Sequence, residues 1–229
     1  MDARIQRGTQ ALLELRRGRL EAGERHLGWK VGFGAPAALE RYAIDRPLVG
    51  FLTDRTLLPD GAEVAIGGWA APRLEAEVAV RLARDVPGGA GLEDVRAAIA
   101  GMAPAIELAD LDPPPADPEA ILAGNIFHRH VILGALDEGR DSADGLVARL
   151  RRDGEQIAEA PASSELTGEV VEVVRLTAET LAAAGERLRA GEVVITGSVV
   201  APLPVAPGER FQIEFDRLGP VAVTTRQEP

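Results

Sequence analysis

The segment Leu74-Glu75-Ala76-Glu77-Val78-Ala79-Val80-Arg81-Leu82 alternates without a break, and no other feature of the chain constrains its fold as strongly. A period of two puts Leu74, Ala76, Val78, Val80 and Leu82 on one side of a strand and Glu75, Glu77 and Arg81 on the other. Such a strand needs neighbours and a layer to cover its apolar side. Glu169 to Ala184 supplies a candidate layer, because Val170, Val173, Val174, Thr177, Leu181 and Ala184 fall on one helical stripe, with Thr167 as the predicted N-cap and Gly185 as the stop. Strand and helix patterns occur in mixed order, which predicts an α+β fold rather than a doubly wound sheet.

The remaining segments fill in that reading. Ile5, Leu12, Leu13, Leu15 and Leu20 predict an amphipathic helix ended by Gly23, and Gly28 to Pro72 breaks into loops, short strands and one helical turn around Ala37 to Tyr42. Leu92, Val95, Ile99 and Met102 recur at helical spacing, and a strand over Ala105 to Ala109 follows. The run Asp110 to Pro118 holds four prolines and three aspartates and is expected to be a surface loop. Val131 to Leu133 predicts a strand, and Arg152-Asp153-Gly154-Glu155 predicts the turn of a hairpin between Leu146–Leu150 and Gln156–Ala158. Val193–Ile195, Phe211–Phe215 and Val221–Val223 complete the predicted strands.

Charge and composition narrow the function classes. With 36 acidic and 25 basic residues the formal charge is -11, which repels a phosphate backbone and argues against nucleic acid or an anionic membrane as partner. The absence of cysteine removes disulfides and thiolate metal sites, so any metal must be held by oxygen or imidazole. Met1 to Arg7 lacks the apolar core of a secretion signal. The uncharged stretch Val193 to Gly208 is too short to span a bilayer and is broken by Gly197, Pro202, Pro204 and Pro207. A soluble, cytoplasmic protein is expected.

Glu75 and Glu77, two apart on a strand, leave the same face with Cα atoms ~6.5 to 7 Å apart. Carboxylates that close repel unless a cation intervenes, and a hard divalent ion is suited to the task. An amphipathic strand with its polar face in water has the same pattern. Glu107 sits among Pro104, Ala105, Ile106, Leu108 and Ala109, where burial requires it to be paired, protonated or metal-bound. Lys30 lies in Gly28-Trp29-Lys30-Val31-Gly32, whose glycines allow close approach of a ligand to the backbone, although a surface lysine fits as well. His128 and His130 would share a strand face, a spacing that suits a metal, but no third ligand is evident beside them. Ser163, Ser164 and Ser198 occupy no nucleophile elbow, Gly32-Phe33-Gly34 lacks the context of a dinucleotide fingerprint, and no Walker sequence occurs.

Taken in order, four blocks resemble the 2-oxopent-4-enoate hydratase and 4-oxalocrotonate decarboxylase branch of the fumarylacetoacetate hydrolase superfamily. They are Gly28-Trp29-Lys30-Val31-Gly32, Pro72-Arg73-Leu74-Glu75-Ala76-Glu77-Val78-Ala79, Pro104-Ala105-Ile106-Glu107 and Ile195-Thr196-Gly197-Ser198. Asp45-Arg46-Pro47 with Gly50, and Pro207-Gly208-Glu209-Arg210-Phe211 through Leu218-Gly219, also fit. The resemblance implies a mixed, strongly curved sheet roll from about Val64 to Val223. A small helical and loop annex over residues 1–63 would carry Lys30, and residues 64–229 would form the catalytic domain.

The resemblance also implies that Glu75, Glu77 and Glu107 hold Mg²⁺ or Mn²⁺, with Lys30 nearby as electrostatic stabiliser or proton donor. Thr196, Gly197 and Ser198 would close over the ligand, and Asn125 would belong to the substrate site. The implied activity is that of a lyase, hydratase or decarboxylase, acting on a small 2-oxo acid or its dienol tautomer through a metal-stabilised enolate, in a homo-oligomer. The chain departs from the family after Glu107, where Asp110-Leu111-Asp112-Pro113 follows, and before the long helix, where Leu166-Thr167-Gly168 stands. It departs again at Ala123-Gly124-Asn125-Ile126-Phe127-His128, where a serine is lost and His128 is either its polar replacement or a packed side chain. Two further readings stay open: acylpyruvate-type C–C hydrolysis with His128 as base, and a non-catalytic homologue or partner subunit that keeps the metal site.

Overall fold

The computed structural model describes residues 2–112, 117–163 and 168–228. The elements run α1 (Ala3–Glu21), β1 (His26–Gly32), α2 (Pro36–Tyr42), β2 (Leu48–Thr53), β3 (Leu57–Leu58), β4 (Ala62–Ala65), β5 (Pro72–Leu82), α3 (Leu92–Ala98), β6 (Ile99–Asp110), α4 (Pro118–Ala123), β7 (His128–Leu133) and β8 (Asp137–Glu138). They continue with β9 (Val147–Arg152), β10 (Glu155–Pro161), α5 (Val170–Ala183), β11 (Val193–Ile195), β12 (Leu203–Pro204), β13 (Arg210–Phe215) and β14 (Gly219–Arg226). The fold is α+β. A curled, mixed main sheet has the order β2-β1-β11-β5-β6-β7-β3, with β12 added to β5 and β8 to β6, and a second sheet has the order β10-β9-β13-β14-β4.

The alternation of β5 explains the stacking of the two sheets. Leu74, Ala76, Val78, Val80 and Leu82 face a core shared with Phe211, Ile213, Phe215, Val221 and Val223 of β13 and β14. The opposite face of the main sheet is apolar as well: Leu52, Ala79, Ala103, Ala105, Val131 and Ile195 form a second, smaller buried cluster there. The carboxylates of β5 therefore do not stand in water, as an amphipathic strand would have placed them.

Strands buried on both faces lose their alternation and read as continuous apolar runs. This is why the helix expected through residue 102 ends at Ala98. Ile99 already has extended geometry, Leu82 pairs with Ile99, and β6 runs on through Met102 and Pro104 to Asp110. Proline is tolerated in this central strand because its carbonyl accepts from Gly134 N–H at 2.8 Å. Its nitrogen thus faces the side on which β7 has ended, where no ladder bond is lost.

The main sheet also begins earlier than expected. Residues 26–58 supply β1, β2 and β3, and β1 sits between β2 and β11, so the sheet crosses the expected division at residue 63. Gly28 makes this possible, since a Cβ there would lie 1.9 Å from the Val193 carbonyl oxygen of β11. The close approach expected at Gly28 is therefore to a neighbouring strand, not to a ligand. The Asp153-Gly154 turn, both residues at positive φ, joins β9 to β10 as predicted. The predicted N-cap Thr167 and the centre of the proline-rich loop, Pro113 to Ala116, lie outside the described residues. Pro118, expected in that loop, instead opens α4 behind the N-cap Asp117, whose side chain accepts from Glu119 N–H.

Candidate metal centre and active site

Pairing of β5 with β6 sets Glu75 opposite Glu107 and Glu77 opposite Ala105, so the three carboxylates share one face. Their nearest oxygens all lie within 4.8 Å of one another. Glu77 and Glu107 are fully buried, and Glu75 is half-buried at the cavity wall. Lys30 reaches them from β1, where it pairs with Gly50 of β2 and Ile195 of β11. A Cβ at Gly50 would lie 3.0 Å from Lys30 Cγ and 2.8 Å from Asn125 Oδ1, so only glycine leaves room for both side chains.

The buried ammonium of Lys30 donates to Glu107 Oε1 and to the Ile126 carbonyl, the latter at 3.1 Å. His128 Nδ1 lies 2.8 Å from the same Glu107 oxygen, and its Nε2 lies 3.0 Å from Thr56 Oγ1. The Thr56 hydroxyl lies 3.0 Å from both Thr53 O and His128 Nε2, and Thr53 O also accepts from Thr56 N–H, so a neutral imidazole carrying its proton on Nδ1 satisfies both contacts when that hydroxyl gives its one proton to Nε2. Burial accordingly lowers the His128 pKa, against the pull of Glu107. Burial also acts to raise Glu107, but Lys30 and His128 outweigh it and hold this carboxyl below its ordinary range.

The other two carboxyls have too little compensation. Burial, with the charge of Glu107, raises Glu75 to about 7, Lys30 opposing. Burial and the charges of Glu107 and Glu75 push Glu77 well above the usual carboxylate range. Glu77 Oε1 and Glu107 Oε2 are buried without a hydrogen-bond partner among the described residues. Three hard oxygen donors, two of them presenting unpartnered atoms, match the ligand chemistry of Mg²⁺ or Mn²⁺.

The Thr196-Gly197-Ser198 turn runs beside the middle of β5, between the stretches paired with β11 and β12. Gly197 N–H donates to Glu77 Oε2 at 2.7 Å, the Thr196 hydroxyl donates to the Val78 carbonyl at 3.0 Å, and Ser198 Oγ accepts from Ala76 N–H at 3.2 Å. All three residues line a cavity of about 290 Å³ with Lys30 and Glu75. The Thr196 and Gly197 donors are committed to the protein, whereas the Ser198 hydroxyl hydrogen makes no bond to a described residue.

Asn125 and His128 take other places. The Asn125 amide accepts from Phe51 N–H at 2.9 Å and donates to Phe51 O at 3.0 Å, imitating a strand neighbour of β2, and it does not line the cavity. His128 and His130 face opposite ways, because Ala109 pairs with His128 while Leu108 pairs with His130, leaving Arg129 in a bulge. The shared face expected from their spacing is lost, and His130 stacks on Trp69 instead. Sequence reasoning also missed the walls of the cavity, Phe33, Ile126, Phe127 and Val173 among them. One sequence signal does mark Lys30: it is the only lysine among the 25 basic residues.

Comparison with known proteins identifies the family. Residues 29–226 match the fumarylacetoacetate (FAA) hydrolase C-terminal family. The chain belongs to the fumarylacetoacetate hydrolase family. Within that family it is 30% identical over 216 residues to a 4-oxalocrotonate decarboxylase of Pseudomonas putida, covering 91% of this chain and 81% of the relative. It is 31% identical over 218 residues to a 2-hydroxyhexa-2,4-dienoate hydratase of Comamonas testosteroni, covering 92% and 82%. The structure of 4-oxalocrotonate decarboxylase from Pseudomonas putida G7, complexed with magnesium and adipate, superposes with a TM-score of 0.89 at 28% identity, covering 95% of this chain and 86% of that one. This family member is thus related to decarboxylases and hydratases, and it carries an acidic cluster able to hold a metal. Among the described residues no helix is long and apolar enough to cross a membrane.

Proposed function

We propose that the protein is a divalent-metal-dependent lyase of the hydratase or decarboxylase type, acting in the cytoplasm on a small 2-oxo acid or its dienol tautomer. The observation that carries this reading is the convergence of Glu75, Glu77 and Glu107, with two unpartnered oxygens, beside the ammonium of Lys30 at the end of a largely apolar cavity. Glu75, Glu77 and Glu107 would hold Mg²⁺ or Mn²⁺, which when bound supplies a Lewis acid for adjacent carboxylate and 2-oxo oxygens.

The chain's own residues do the rest. Two described acceptors, Glu107 and Ile126 O, engage the ammonium of Lys30, and a third N–H remains for the oxygen on which negative charge builds as a C3 proton leaves. Gly197 N–H holds Glu77 in place, and the Ser198 hydroxyl is free to donate to the substrate carboxylate. Ile126, Phe127 and Val173 shield the site from water, which strengthens each of these interactions. His128 bonds Glu107 and Thr56 and does not line the cavity, so it acts as a positioning residue. Both of its ring nitrogens are engaged by these partners, which leaves neither free as the base that acylpyruvate-type hydrolysis would require.

The test is metal-dependent exchange of the C3 protons of 2-oxopentanoate with deuterium, followed by NMR, which needs no knowledge of the physiological substrate. Wild type should exchange only with Mg²⁺ or Mn²⁺ present. Lys30→Met, which keeps length and removes charge, should slow exchange and turnover ~100-fold or more while binding the metal at least as tightly as wild type. Unchanged exchange in this variant removes Lys30 from the mechanism. Neither exchange nor turnover in metal-loaded wild type would favour the non-catalytic reading.

A further inference from the structure

The cavity beyond the carboxylates is built from Phe33, Ala38, Ile126, Phe127, Val173 and Val200, with glycine and proline between them. Among the described residues Lys30 is the only basic one on its wall, and that ammonium already faces Glu107. The undescribed stretches that follow Asp112 and precede Gly168 read Pro113-Pro114-Pro115-Ala116 and Ser164-Glu165-Leu166-Thr167, so neither contains a basic side chain. Two arginines, Arg19 and Arg129, do lie close in the fold, but they line a separate recess of about 270 Å³. Phe127 borders both spaces and stands between them. In that recess Arg129 is paired with Asp110 at 3.2 Å, and Asp112 also lines it. The volume of the cavity is at the low end of the ~300–1,000 Å³ usual for small-molecule sites.

We infer that the substrate is a 2-oxo monocarboxylate with a short, uncharged tail, and that the apolar wall completed by Phe127 discriminates against the matching α,ω-dicarboxylate. The inference rests on the 2-oxo acid reading above and specifies its substrate class. A second carboxylate at the far end of such a substrate would exchange water for an apolar wall on which no described residue offers a second cation, whereas a methyl or vinyl end gains by leaving water. Chain length is not the discriminant here, since an apolar tail of the same number of carbons fits the same wall.

The experiment compares 2-oxohexanoate with 2-oxohexanedioate, equal in carbon count and different only in the terminal carboxylate, by calorimetry on full-length protein saturated with Mg²⁺. Wild type should bind the monoacid ~tenfold or more tightly, in low salt and in 0.5 M NaCl (roughly a 4 Å screening length) alike. Equal or tighter binding of the diacid overturns the inference. A preference that disappears in high salt also overturns it, because long-range repulsion by the net charge of -11 would then be the cause. Ala38→Arg, a substitution at a half-buried position of α2 on the cavity wall, should shrink the preference by raising diacid affinity. An unchanged preference in this variant, with 2-oxohexanoate still bound, removes the missing cation as the reason. If Mg²⁺ binds and neither acid does, the 2-oxo acid reading itself falls and the inference falls with it.

Discussion

Glu77 is the residue on which the proposed metal site depends most directly. One of its oxygens is held by Gly197 N–H and the other is buried without a described partner, so its geometry is set before any ion arrives. Glu77→Gln replaces a charged ligand with a neutral amide, while Glu63→Gln changes an exposed carboxylate of β4 outside the cluster. Calorimetric titration with Mg²⁺ or Mn²⁺ should show affinity at least ~tenfold weaker in Glu77→Gln and unchanged in Glu63→Gln; equal affinities in the two variants would reject the ligand assignment. The same titration checks the other half of the argument for Lys30. Its ammonium competes with a bound cation for Glu107, so removing it should not weaken metal binding even as turnover collapses.

Elements meet at two polar contacts whose loss is measurable. Asn125, Ile126 and Phe127 all have positive φ, a run that costs ~1–2 kcal/mol per residue for side chains of this kind. The Asn125 amide bonds to Phe51 hold the run against β2, and Asn125→Ala would leave two buried backbone groups of β2 without those partners. We expect a loss of ~2–4 kcal/mol in urea unfolding. The second contact joins α1, β1 and the residue before β11. Trp29 Nε1 donates to Glu192 Oε2 at 2.9 Å, His26 Nε2 lies 3.3 Å from Glu192 Oε1, and Arg16 reaches both His26 and Glu186. Burial acts to raise Glu192, but His26, Arg189 N–H and Trp29 outweigh it and hold the carboxyl below its ordinary value. A carboxyl depressed in the folded state contributes stability that is full above its unfolded pKa of ~4.3 and disappears as pH falls through the folded value. Thermal midpoints should therefore fall less steeply with acid in Glu192→Gln than in wild type below about pH 4, and parallel curves would show that Glu192 has no part in acid unfolding.

At the scale of the whole molecule, the main sheet buries one face against the second sheet and keeps the site on the other. Beyond the site, that second face carries a surface recess lined by Leu27, Ala79, Ala103, Leu133 and Val193. Apolar surface of this kind suits association, and the relationship to the family predicts it as well. Light scattering should report a mass that is a multiple of 24.2 kDa, and a 24.2 kDa species at all concentrations tested would contradict the expected homo-oligomer.

What local sequence could determine is what short-range periodicity encodes. The alternation of β5, the stripe of α5, the amphipathic α1 and the Asp153-Gly154 hairpin all follow from side chains a few residues apart. The three glutamates were legible too, two by their spacing and the third by its apolar neighbours. The tertiary structure decided everything that depends on which strand lies beside which. Pairing of β5 with β6 turned two separate carboxylate signals into one cluster, and β1 brought Lys30 to Glu107 across 77 residues of chain. A bulge at Arg129 sent His128 and His130 to opposite faces, and burial on both sides hid the start of β6 inside an apparent helix. Asn125 looked like a ligand for the substrate and became a brace for β2, because its donors and acceptors met a backbone that no local pattern could have placed there.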